Sequence, residues 1–74
     1  MKERYKKLMQ EIGFESSADK ADSMSAEEMV KECKYRLEGY YEEGNSYYDM
    51  KCDEPKRWKS ETEKLKRFIK KYSA

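Results

Sequence analysis

Seventeen Lys and Arg stand against 16 Asp and Glu in a chain of 74 residues, so the formal net charge is only +1 although 45% of the residues are charged and 36% hydrophobic. A chain this short makes one domain at most and buries about 60–65% of the surface its unfolded form exposes, which leaves a thin core and little room for a deep cleft. A pI near 7.7 speaks against a chain that binds nucleic acid with its whole surface.

So much charge can signal disorder, but here the apolar residues are periodic and the net charge is small, which favours folded amphipathic helices. Val and Thr occur once each and Ile twice, which weighs against a sheet. The fold class expected is all-α.

The first helix is expected over residues 2–12, where Tyr5, Leu8, Met9 and Ile12 recur at helical spacing. Gly13 suits a left-handed stop. Residues 14–24 read as a linker with room for one short helical turn. Ser25 and Glu28 then match an S-x-x-E capping box, and Met24 with Met29 matches the hydrophobic staple that accompanies it. Val30, Cys33, Leu37, Tyr41, Gly44, Tyr48 and Cys52 keep one helical register, which favours a single long helix over 25–52. A helical break or a tight hairpin at Gly44-Asn45 are the competing readings. Asp53-Glu54-Pro55 opens a last helix over 55–72, because proline suits the first helical position. Its apolar face is Trp58, Thr62, Leu65, Phe68, Ile69 and Tyr72. The expected architecture is three helices: a long antiparallel hairpin bent near Asp53-Glu54, with the short first helix packed on it.

Charge is segregated along this plan. From Lys56 onward eight bases stand against Glu61 and Glu63, whereas residues 38–54 hold six acids and one base, Lys51. The basic residues Lys56, Arg57, Lys59, Lys66, Arg67 and Lys70 are candidates for nucleic-acid contact. A solvated helix face that complements the helix dipole is the plainer reading of the same run. In the acidic stretch the doublets Tyr40-Tyr41 and Tyr47-Tyr48 lie seven residues apart. Tyr41 and Tyr48 fall on the core face, Tyr40 and Tyr47 on its shoulder. Glu38, Tyr40, Glu42, Glu43, Tyr47 and Asp49 therefore form a candidate surface for a basic partner, since Tyr anchors many interfaces. Trp58 reads as core.

Histidine is absent, which removes the commonest general base and metal ligand, and there is no phosphate-binding glycine loop. No enzyme, cofactor or metal site is expected. No apolar run approaches the ~20 residues of a membrane span, and no signal-peptide pattern follows Met1-Lys2-Glu3-Arg4. A cytoplasmic protein with Cys33 and Cys52 as free, buried thiols is expected.

Three functions remain in view. The first is a protein-binding module that uses the acidic Tyr surface on a larger protein, such as a nucleic-acid enzyme. The second is a small nucleic-acid-binding protein, and the third a homodimer that buries its Tyr-rich faces. In size and in its Lys/Glu/Tyr/Met-rich composition the chain resembles small products of bacterial phages and mobile elements. That resemblance implies binding and blocking of a host protein, a CRISPR effector or other defence nuclease among them.

Overall fold

A computed structural model describes residues 1–73, which are helical throughout their regular structure, with no strand among the described residues. Helix α1 spans Lys2–Glu11 and turns Tyr5, Leu8 and Met9 inward. It ends in a Schellman arrangement: Gly13 takes φ +86°, its N–H donates to the Gln10 carbonyl at 3.3 Å, and the Phe14 N–H donates to the Met9 carbonyl at 2.7 Å.

The expected linker is largely helical. Helix α2 spans Glu15–Asp19 and a single 3₁₀ turn covers Ala21–Ser23. Ser17, Ala18 and Ala21 are buried, and their small side chains let this segment pack closely on α1. Asp22 fastens it from outside through the ammonium groups of Lys6 (3.1 Å) and Lys2 (3.3 Å). Both hold its carboxyl below the usual range, Lys6 more strongly. The segment lacks the long apolar stripe by which a helix is read from sequence.

Helix α3 spans Ala26–Gly39 and opens on the expected capping box, with Glu28 N–H donating to Ser25 Oγ (3.2 Å) and Ser25 N–H donating to Glu28 Oε1 (3.0 Å). The helix expected to run on to residue 52 stops here. A corner, residues 40–45, separates α3 from helix α4, Ser46–Asp53. Gly44 supplies φ +89°, a left-handed conformation that residues with a Cβ rarely adopt. Asn45 then restarts the helix as an N-cap, its Oδ1 accepting from the Tyr47 N–H at 2.9 Å. The break also inverts the first tyrosine doublet: Tyr40 is fully buried, while Tyr41 is 46% exposed. Met50 is the buried residue of α4, and Cys52, expected in the core, is exposed.

Glu54 adopts a non-helical conformation before Pro55, and helix α5 runs from Pro55 to Tyr72. It packs along α3 and α4. Its direction opposes α3: Trp58 meets Tyr40 near one end, and Tyr72 lies beside Ala26 and Val30 near the other. Helix α1 closes the core, with Tyr5 and Phe68 ring centroids 6.0 Å apart. Among the described residues the three-helix hairpin is thus replaced by five helices around a core that includes Tyr5, Met9, Ile12, Met29, Cys33, Tyr40 and Leu65. Among the described residues no helix is long and apolar enough to cross a membrane.

Candidate functional site

The corner at residues 40–45 decides which side chains reach the surface. Tyr40 pins it to α5 twice. Its hydroxyl donates to Glu61 Oε1 at 2.6 Å, and its carbonyl accepts from the Trp58 indole N–H at 2.9 Å. Glu61 is itself buried, so its charge needs partners. Arg57 supplies the second, Nε to Oε2 at 2.7 Å, and also reaches Glu54 at 3.4 Å. Burial first, and then the bond to Glu61, push the Tyr40 hydroxyl well above the usual tyrosine range. Arg57 is raised in turn by its own bond to Glu61 Oε2.

Tyr40 is therefore a strut of the fold and presents nothing to a partner. Tyr47 is half-buried between the rings of Tyr40 (4.9 Å) and Phe14 (5.1 Å). Of the predicted acidic surface, Glu38, Glu42, Glu43 and Asp49 are exposed as expected. The aromatic side chains that stand beside them are different ones: Tyr35, 65% exposed on α3, and Tyr41. Tyr41 lies edge-on to Trp58 at 5.2 Å and is half covered by it, with the Lys66 ammonium 5.2 Å from the Tyr41 ring. Tyr35 sits off the stripe Val30–Cys33–Leu37, and that offset is the sequence signal for its exposure.

Glu38 and Glu42 form a low ridge between two depressions. One, of about 280 Å³, is walled by Phe14, Tyr35, Arg36 and Tyr47. Its wall is firm, because the Arg36 guanidinium lies 4.0 Å from the Phe14 ring centre and its Nε 2.8 Å from Glu32 Oε1. The other, of about 700 Å³, is an open apolar shelf of Leu37, Tyr41 and Ile69 with Lys34 at its rim. Each depression carries one exposed tyrosine, and both share the two carboxylates. This arrangement offers hydrogen-bond acceptors and flat amphipathic rings to a cationic surface.

The predicted basic set, Lys56, Arg57, Lys59, Lys66, Arg67 and Lys70, is exposed, and three of its members are drawn to other parts of the chain. Arg57 is committed to Glu54 and Glu61, Lys66 leans on Tyr41, and Arg67 turns toward α1. Lys64, outside that set, joins α5 to α1 through Glu11 at 2.8 Å. No group of three or more His, Cys, Asp or Glu side chains converges on a metal position among the described residues. The chain matches no family model, no curated protein and no solved structure.

Proposed function

We propose that this chain is a non-enzymatic protein-binding module whose contact surface is the Glu38–Glu42 ridge with Tyr35 and Tyr41 on its flanks. One observation carries the reading: the two exposed tyrosines each stand over a depression bordered by the same pair of exposed carboxylates. Tyr loses little conformational entropy on contact and buries a large ring, so two such rings can dominate an interface. The carboxylates select a basic partner and fix its orientation. Glu43 and Asp49 extend the negative field around the ridge.

The partner class favoured is a larger protein with a basic groove, as nucleic-acid enzymes have. Carboxylates set on a small helical domain imitate phosphates well enough to fill such a groove. The small size and the Lys/Glu/Tyr/Met-rich composition support the narrower reading of a phage or mobile-element inhibitor acting on a host defence nuclease. Of the Tyr-rich face that a homodimer was expected to bury, Tyr40 is buried and Tyr47 half-buried within the chain itself, so neither needs a second copy for its cover.

The test is quantitative affinity capture from cells of origin with three baits: wild type, Tyr35→Ala/Tyr41→Ala, and Lys59→Glu as a remote control. Loss of two hot-spot rings, each worth about 2 kcal/mol, predicts a partner weakened by more than tenfold in the tyrosine variant only. Equal recovery by all three baits contradicts the proposal.

A further inference from the structure

A second surface lies on the opposite charge and on other elements. Arg4, Lys7, Leu8 and Glu11 of α1 follow the spacing i, i+3, i+4, i+7. Lys64, Arg67, Phe68 and Lys71 of α5 follow the same spacing. Such spacing puts each set in one stripe along its helix. The two stripes, far apart in the chain, face one another across a cleft of about 610 Å³. Five cations line it, and Glu11 is its one acid. That acid is already taken up by Lys64, whose ammonium holds the Glu11 carboxyl below its usual range. Arg4, Lys7, Arg67 and Lys71 make no salt bridge among the described residues, so four of the five cations gathered in this one cleft are unpaired.

The floor between the cations is apolar: Leu8, Phe68 and the half-exposed ring of Tyr72, whose centroid lies 4.7 Å from that of Phe68 and 5.5 Å from the Lys71 ammonium, a contact that a phosphate and a base would have to replace. We infer that the α1/α5 cleft binds single-stranded nucleic acid, with phosphates on the Arg4/Lys7 and Arg67/Lys71 rims and an unpaired base against Tyr72. Cationic rims alone attract any phosphate. The aromatic floor adds contact only for a strand that offers phosphates and open base faces together, which a duplex does not. Unpartnered cations this close repel each other in the free protein, and an anionic chain relieves that repulsion. This site is independent of the Tyr35/Tyr41 surface.

The experiment is fluorescence anisotropy with a labelled mixed-sequence single-stranded DNA, a duplex of the same sequence, and anionic phospholipid vesicles as competitor. Four free cations predict a log–log salt slope of about −3 for a single strand, from roughly −0.7 per phosphate contact. Lys7→Glu/Arg67→Glu should halve the slope and weaken binding more than tenfold while the protein stays folded, because both side chains are exposed and neither makes a salt bridge among the described residues. Tyr72→Ala should weaken the single strand at least fivefold and leave any duplex binding unchanged. Lys59→Glu, outside the cleft, should have the smaller effect. The inference is overturned by no binding at low salt, by equal affinity for duplex and single strand, by vesicles displacing the strand at matched charge, or by a double variant no weaker than Lys59→Glu.

Discussion

Two tyrosines, Tyr5 and Tyr40, are both fully buried, yet removing the hydroxyl from each should have opposite consequences. Tyr40→Phe deletes a 2.6 Å hydrogen bond to the Glu61 carboxylate. The ring still packs on Tyr47, and the Trp58 indole still reaches the residue 40 carbonyl, so the change isolates one interaction. A hydrogen bond to a charged group contributes about 1.5–3 kcal/mol, and the buried Oε1 is left without its donor. Arg57 holds only the other oxygen, and its side chain is 48% exposed, so solvent weakens that compensation. The expected loss is about 2 kcal/mol. For a domain of this size that lowers Tm by roughly 8–16 °C. Tyr5→Phe removes a buried hydroxyl with no hydrogen-bond partner among the described residues, the nearby Ser17 contributing only the weakest influence on it. Its loss should be neutral within about 0.5 kcal/mol, or stabilising, since an unsatisfied buried polar group is removed. Calorimetry or urea unfolding of the two variants beside wild type measures both. Equal destabilisation by the two changes, or a Tyr40→Phe protein as stable as wild type, refutes the view that the Tyr40–Glu61 bond holds the corner.

Three further outcomes are expected. Gly44→Ala should cost about 1–2 kcal/mol by urea unfolding purely through its φ of +89°, because a Cβ there meets nothing within 4 Å; an unchanged midpoint would show that the corner is not held left-handed. Under native conditions a thiol reagent should label exposed Cys52 promptly and buried Cys33 only through unfolding, about 10³-fold more slowly, as mass spectrometry of timed samples would reveal. Stability should be full below pH 9 and fall as pH rises toward 12, because burial raises Cys33 from 9.0 to about 12 and Tyr5 from 10.0 to about 12, so the unfolded chain releases protons that the native state keeps. Circular dichroism with tyrosinate absorbance follows this, and a melting temperature flat across that range would contradict it.

What the sequence made legible was local chemistry. The capping box at Ser25 and Glu28, the left-handed stop at Gly13 and the proline start at Pro55 each depend on residues a few positions apart, and each stands where expected. A break at Gly44-Asn45 is a competing reading of the sequence and not the favoured one, because the apolar spacing passes through the corner at 40–45 without losing register. Gly44 and Asn45 carried the signal for the break, as a left-handed residue followed by a helix cap. The inversion of Tyr40 and Tyr41 follows from that break, and with Tyr35, exposed off the apolar stripe of α3, it shifts the proposed contact surface from Tyr40 and Tyr47 to Tyr35 and Tyr41. Glu61 counted in sequence as one acid of a basic helix. Its register with Trp58, Leu65, Phe68 and Tyr72, and its place four residues after Arg57, could have marked it as buried and paired. The α1/α5 cleft joins residues near the two ends of the chain, and no local pattern brings those ends together.

The proposed function depends on which face of the protein meets a partner. A photo-crosslinking amino acid placed at residue 35, 41 or 56, one at a time, in the protein expressed in its cell of origin tests this most directly. The expected result is one protein adduct of common mass from residues 35 and 41, weakened by Glu38→Lys, with none from residue 56. An adduct from residue 56 that is missing from residues 35 and 41 would contradict it.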